Sequence, residues 1–217
     1  MAGVLSYIAG MFFVITVSEA CKCAVVHPQT SFCIADFAIK AEVLKESMDN
    51  STRFGSRVYK LKILKFFKGA SEISRTKGTR RASRKRMVRA YTPLEGPACG
   101  IQLERSKTYL LLGYLRENKL TLRRCQWHQL WEEITRQQRR GLKRLYGRNC
   151  DCRIEKFCLK PEPETCDDMI DGCNVPDSDW KVTICKKKYS FCVKNKSGNS
   201  CRWVKKSPAF KKCLSKN

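Results

Sequence analysis

Along FAIKAEVL, residues 37–44, the apolar side chains Phe37, Ile39, Ala41 and Val43 fall at every second position, and the positions between them are mostly polar. That period belongs to a strand with one buried face. RVYKLKILKFF, residues 57–67, repeats it with Tyr59, Leu61 and Ile63, and the polar stretch KESMDNSTRFGS between the two predicts a loop. TYLLLGYL and KLTL, split by Arg116, Glu117 and Asn118, predict a hairpin. In LWEEITRQQRRGLKRLYG the period changes, with Trp131, Ile134, Leu142 and Leu145 on one face of a helix. Glu132 and Glu133 at its start, and basic residues with Gly147 at its end, suit the helix dipole. Beyond it regular patterning fades. LKPEPET and VPDSD read as turns, and eight cysteines run from Cys152 to Cys213. A boundary near Asn149–Cys152 is expected, separating residues 21–150 from a small disulfide-held unit, residues 151–217. No internal repeat is visible.

Residues 1–20 stand apart. An apolar run from Ile8 to Val17 ends in Ser18-Glu19-Ala20, the small-residue pattern of a cleaved secretory leader. The run is too short for a membrane span. Cleavage after Ala20 makes Cys21 the first residue of a secreted, extracellular chain.

All fourteen cysteines follow that point. In an exported chain an even number implies a disulfide framework. The competing chemistry is thiolate ligation of zinc by Cys21-x-Cys23 and Cys150-x-Cys152, but neither pair is a C-x-x-C and no matching partner pair follows. Bridges also suit a chain with 29% charged residues, since each one closing a long loop contributes about 3–5 kcal/mol in the chain-entropy account.

Lys and Arg number 44 against 20 Asp and Glu, a formal charge of +24. Such an excess attracts polyanions. Its densest stretch, SRTKGTRRASRKRMVR, has eight basic residues in sixteen (Lys77, Arg80, Arg81, Arg84, Lys85, Arg86 and Arg89 among them) and reads as an extended loop. Two readings stand: a solvated charge run, or a site for heparan sulfate or matrix. Nucleic acid is not expected as the partner of a secreted chain. Asn50 and Asn195 each begin an N-x-S/T acceptor for a glycan.

Enzyme chemistry is poorly supported. The two histidines, His27 and His128, have no free nucleophile to serve, and the acidic pairs Glu132-Glu133 and Asp167-Asp168 sit in a helix start and a loop. There is no Gly-rich phosphate loop. His27 is expected to be a packed, hydrogen-bonded residue.

Cysteines at 21, 23, 33, 99, 125 and 150, then at once Cys152, combine with HPQTSFC (27–33), FKG (67–69), YTPLEGPACG (91–100) and the Trp131 segment. Together these resemble the tissue inhibitors of metalloproteinases over the whole mature chain. The family opening C-x-C-x-P-x-H-P-Q-x-x-F-C is met except that Val25 stands where proline is usual. The resemblance implies a mainly β fold with helices. Its parts are a five-stranded OB-fold-like (netrin-like) β-barrel with helices and a small disulfide-rich C-terminal β module. It implies the bridges Cys21–Cys99, Cys23–Cys125, Cys33–Cys150, Cys152–Cys201, Cys158–Cys166 and Cys173–Cys192, which leaves Cys185 with Cys213.

The implied activity is stoichiometric inhibition of zinc metalloproteases of the matrix metalloproteinase type by a monomer. The contacting residues are Cys21, Lys22, Cys23 and Ala24 with Glu95, Gly96, Pro97, Ala98 and Cys99. The chain needs no cofactor of its own. The metal is the catalytic zinc of the target, which keeps an open position for water, and the free α-amine and carbonyl oxygen of Cys21 would close a five-membered chelate on it. An unperturbed α-amine pKa of about 7.7–8.0 makes losing the proton near neutral pH inexpensive. In the family a small Thr or Ser follows the first cysteine and enters the protease S1′ pocket; Lys22 stands there in this chain. The rival reading is a non-inhibitory netrin-like module held by heparan sulfate, in which Cys21 and Cys23 are stabilising bridges alone.

Overall fold

The computed structural model describes residues 21–51, 55–76, 86–94, 99–155, 172–174, 180–204 and 207–215. Two long strands, β1 (Phe37–Asp49) and β2 (Ser56–Lys68), pair antiparallel from Ala38↔Lys68 to Asp49↔Ser56. After the short helix α2 (Ala70–Ser74), strand β3 (Met87–Pro93) pairs antiparallel with β2. β4 (Thr108–Arg116) and β5 (Lys119–Thr121) form a hairpin whose turn residues Glu117 and Asn118 both lie at positive φ, 49° and 60°. That left-handed pair matches the twist of adjoining strands. β5 then runs parallel to β3, while the first half of β4 pairs with β1. The strands thus close in the order β1-β2-β3-β5-β4 and back to β1, a five-stranded ring, with the short β6 (His128–Leu130) added on β4.

Alternation places the core. Phe37, Ile39, Ala41, Val43, Tyr59, Leu61 and Ile63 all point into the ring and pack with Val88, Ala90, Leu111 and Leu120. The opposite face of β1 and β4, through Ala38, Leu110 and Leu112, packs against Phe32, Ile134, Leu142, Tyr146 and Phe191. Sheet wall and helices are therefore glued by a second apolar layer.

Three expectations are corrected. The polar loop between β1 and β2 is shorter than its composition suggests, because backbone pairing continues through Lys45↔Lys60 to Asp49↔Ser56 after side chains have turned to solvent. Arg89 belongs to β3 rather than to the basic loop, since MVRAYTP alternates and buries Val88, Ala90 and Thr92. The single helix over 130–147 is instead broken. Trp131–Glu133 is a 3-10 turn, Ile134 is extended, and Thr135 opens α3 (Arg136–Arg140) with a reciprocal Thr135–Gln138 capping box. A π-helical turn, Gly141–Leu145, follows, in which a side chain on Gly141 would meet the Tyr146 ring at 2.3 Å. The apolar face survives the breaks, with Ile134 and Leu142 buried and Trp131 and Leu145 partly so.

The C-terminal part is disulfide-rich, as expected, and has helices as well as short strands. β7 (Arg153–Glu155) pairs parallel with β8 (Gly172–Asn174), and β9 (Cys192–Lys194) pairs antiparallel with β10 (Cys201–Trp203). Beside them α4 (Trp180–Tyr189) and α5 (Pro208–Ser215) are joined by Cys185–Cys213. Among the described residues no helix is long and apolar enough to cross a membrane.

Candidate functional site: a doubly tethered leading segment

Residues 21–26 take neither helix nor strand and run to the N-cap of α1 (Pro28–Ile34). Lys22, Cys23 and Ala24 are exposed, whereas Cys21, Val25 and Val26 are partly covered. Two disulfides hold this short run. Cys21 is bonded to Cys99 and Cys23 to Cys125, with Cα–Cα distances of 5.6 and 5.1 Å across 78 and 102 residues of chain. The two anchoring stretches are also joined, because the N–H of Arg124, the residue before Cys125, donates to the Cys99 carbonyl at 2.9 Å.

Behind Cys99 the seat is built from buried hydrogen bonds. Thr92 Oγ1 accepts the Ile101 N–H at 3.0 Å, and the Tyr59 hydroxyl donates to the Ile101 carbonyl at 3.3 Å while accepting the Leu103 N–H at 2.9 Å. Burial pushes the Tyr59 hydroxyl pKa up, which keeps it a donor. Cys99 itself lies at φ 58°, a left-handed conformation uncommon for a residue with a Cβ. Gly100 next to it passes so close to β3 that a Cβ there would lie 1.9 Å from the Pro93 carbonyl oxygen.

The other end of the segment is fixed by HPQ. His27 caps α1, its Nδ1 accepting the Gln29 N–H at 3.1 Å, and Pro28 sits where a helix needs no N–H. His27 Nε2 donates to the Lys186 carbonyl of α4 at 3.3 Å, and its ring lies edge-on to Trp203 at 5.5 Å. Burial lowers its pKa to about 4; neighbouring Lys187 and Lys186 push the same way, against backbone hydrogen bonds with Lys186 and Ser190 that raise it. Gln29 Nε2 donates to the carbonyls of Asn149 and Cys192 at 2.9 and 2.8 Å. Lys68 closes the far end of α1, donating to the Phe32 and Cys33 carbonyls at 3.1 and 2.8 Å.

Cys33 is bonded to Cys150, and in the C-terminal part the bonds are Cys152–Cys201, Cys173–Cys192 and Cys185–Cys213. Cys21, Cys23, Cys150 and Cys152, weighed above as thiolate ligands, are therefore all oxidised. The sulfurs of Cys152, Cys192 and Cys201 lie within 4.8 Å of one another, yet they belong to two disulfides and offer no thiolate to a metal. Among the described residues no cysteine is free.

Glu95, Gly96, Pro97 and Ala98 lie outside the described residues, as do Cys158, Cys166, Lys77, Arg80, Arg81, Arg84 and Lys85. Of the remaining basic candidates, Arg86 is exposed with its guanidinium 5.3 Å from the Phe66 ring, and Arg89 is exposed on β3. Asn50 is exposed just after β1; Asn195 is partly covered and its Nδ2 donates to Ser200 Oγ at 2.7 Å. Sequence reasoning did not identify Tyr59, Thr92, Arg124 and Asn149 as supports of this site. An inward-facing Tyr and Thr on strands, each needing a partner for its hydroxyl, was the available signal for two of them.

The tethered run, its anchors and its HPQ end all lie within the stretch that a sequence comparison matches. The family model described as tissue inhibitor of metalloproteinase matches residues 19–203. The chain belongs to this family. Among curated relatives, Metalloproteinase inhibitor 3 of Gallus gallus is 32% identical over 146 residues, 67% of this chain and 64% of that protein. Metalloproteinase inhibitor 3 of Xenopus laevis is 29% identical over 183 residues, 81% of this chain and 80% of that one. Metalloproteinase inhibitor 4 of Mus musculus is 31% identical over 144 residues, 63% and 59% of the two chains. The family resemblance of the cysteine spacing is thus shown, together with its ring-like sheet and disulfide-rich C-terminal part.

Proposed function

We propose that this chain is a secreted, stoichiometric inhibitor of zinc metalloproteases, not an enzyme, which presents residues 21–24 to the target's catalytic cleft. The observation that carries the reading is the double tether: Cys21 and Cys23, two residues apart, are pinned to Cys99 and Cys125, and Arg124, next to Cys125, donates its N–H to the Cys99 carbonyl. An exposed segment held this way has lost its conformational entropy at folding, so association does not have to order it. The relatives' names as metalloproteinase inhibitors point the same way.

Chemically, the metal belongs to the target and supplies an open coordination position. In the 217-residue chain the nitrogen of Cys21 is in a peptide bond to Ala20; an amide nitrogen has its lone pair delocalised and is a poor ligand. Removal of residues 1–20 converts it to an amine. Amine and carbonyl oxygen of one residue then form a chelating pair, while the Cys21 sulfur remains an anchor.

The test compares the chain beginning at Cys21 with one carrying a single added alanine before it. Inhibition of a matrix-type metalloprotease is expected to fall by orders of magnitude in the extended form. Equal potency overturns the chelation reading, and no inhibition by either form favours the non-inhibitory netrin-like alternative.

A further inference from the structure

Two hollows flank the leading segment where it runs toward α1. One, of about 210 Å³, lies between Val25 and Val26 on one side and Ile154, Thr183 and Lys187 on the other. Thr183 and Lys187 belong to α4 and Ile154 to β7, so one wall of it is built by the C-terminal part. The second, of about 260 Å³, lies between the segment and residues 124–129. Ala24, Val26 and Lys187 border both.

The walls decide what the first hollow can take. Its lining is mostly apolar, and His27 adds a ring whose nitrogens are both spent, Nδ1 on the Gln29 N–H and Nε2 on the Lys186 carbonyl. A dry cavity of about 150 Å³ already holds a benzene ring, so the hollow has room for one leucine- or phenylalanine-sized side chain. Lys187 brings a positive charge to its border and Arg124 brings one to the second hollow. Among the described residues no Asp or Glu lines either. The hollow is also preformed: the bond from His27 to the Lys186 carbonyl holds α4 beside the segment one residue from Lys187, so binding does not have to order that wall.

We propose that the hollow between the leading segment and α4 is a second recognition pocket for the target metalloprotease, taking an apolar side chain from the rim of its cleft with an acidic residue set against Lys187. The pocket rests on the inhibitory reading above and deepens it, because it gives the C-terminal part a share in the choice of target. Size brings the target there. A stable protein complex buries about 800 Å² on each partner, from roughly 20–30 residues. Residues 21–24, with Cys21 partly covered, fall far short of that, so a protease that grips them also covers the surface adjoining Ala24.

The test uses the chain beginning at Cys21 against a panel of matrix-type metalloproteases. Thr183→Phe fills the hollow, Thr183→Val keeps its shape, and Lys187→Glu reverses its charge. Lys181→Glu makes the same charge change at an exposed position of α4 that lines neither hollow. Against proteases that use the pocket, Thr183→Phe is expected to weaken inhibition by about 10-fold to 100-fold, the worth of one fully buried apolar side chain. Lys187→Glu is expected to weaken most the inhibition of proteases with an acidic rim, while Thr183→Val and Lys181→Glu stay within about threefold of the parent. A wall that only supports the segment would lower potency against every protease by one factor, so the signature is a spread of about tenfold or more across the panel. Losses that are absent, uniform across the panel, or as large for Lys181→Glu as for Lys187→Glu would overturn the proposal. So would binding of 3-phenylpropionate that Thr183→Phe abolishes while inhibition stays unchanged, since the hollow would then be a small-molecule site. A parent chain that inhibits no protease in the panel defeats the inhibitory reading and the pocket together, whereas a potent parent indifferent to these substitutions defeats the pocket alone.

Discussion

Gln29 and Cys192, 163 positions apart, exchange two hydrogen bonds: Gln29 Nε2 donates to the Cys192 carbonyl at 2.8 Å, and the Cys192 N–H returns to Gln29 Oε1 at 3.2 Å. A side-chain amide thus pairs with β9 as a neighbouring strand would. Gln29 is 1% exposed, so each of these groups would be left buried and unpaired by Gln29→Leu. At about 1–3 kcal/mol per orphaned polar group, the variant should lose about 3 kcal/mol or more. Urea unfolding with the disulfides intact checks it; a midpoint within error of the parent would refute the pairing.

His27 sits in the same joint and gives it a pH dependence. Its pKa is about 4 in the folded chain, against 6.5 for an unperturbed imidazole. The unfolded chain therefore binds the extra proton first, and stability rises with pH between about 4 and 6.5. The contribution is full above about 6.5, falls as the pH drops through that window and is lost below about 4, a total of about 3 kcal/mol. Unfolding free energies measured from pH 4 to 7.5 should show this slope, and His27→Gln should flatten it.

Much of this joint was out of reach from residue patterns. Period-two alternation revealed β1 and β2, and the polar break at Arg116, Glu117 and Asn118 revealed the β4–β5 hairpin, although β4 buries residues on both of its faces. The cysteine spacing and HPQ brought the family resemblance. The same alternation marks MVRAYTP, but eight basic residues in its neighbourhood masked it. The breaks at Ile134 and Gly141 depend on where the Tyr146 ring comes to rest, which is tertiary information.

The seat of the leading segment should be sensitive to a single methyl group at Gly100. A Cβ there would lie 1.9 Å from the Pro93 carbonyl oxygen, and that atom is backbone in a paired strand. Gly100→Ala must displace either β3 or Cys99, and with it the Cys21 anchor. Several kcal/mol of destabilisation and a marked loss of inhibition are expected. Gly198→Ala makes the control: φ is 78° but nothing lies within 4 Å, so the cost should be about 1 kcal/mol with inhibition unchanged. Similar effects of the two substitutions would refute the close-approach argument.

Tyr146 offers a gain instead of a loss. Its ring packs with Phe32 and Phe191 in the layer between ring wall and helices, fully buried, and its hydroxyl has no hydrogen-bond partner among the described residues. Burial pushes the hydroxyl pKa far up, so it stays neutral at any ordinary pH. Tyr146→Phe removes an unsatisfied polar atom while keeping the ring, and should stabilise the chain by about 1 kcal/mol or more. Calorimetry of both forms decides the point; a lower transition temperature for the variant would show that the hydroxyl has a partner after all.

Lys22 is the residue through which the choice of target should be altered. It stands exposed between the two tethered cysteines, so replacing it leaves the fold untouched. In the proposed complex its side chain enters the pocket beside the target's metal. The four-carbon stem is compatible with an apolar wall, whereas an ammonium buried without a partner costs several kcal/mol. Since every 1.4 kcal/mol is tenfold in affinity, the parent should favour metalloproteases whose pocket has an acidic or water-reachable floor. Lys22→Thr should tighten binding to enzymes with a closed apolar pocket by about 10-fold to 1,000-fold and weaken binding to those with an acidic floor. Inhibition constants for both forms across a panel spanning the two pocket types measure this directly, and equal tight binding by both forms throughout would remove Lys22 from the account of selectivity.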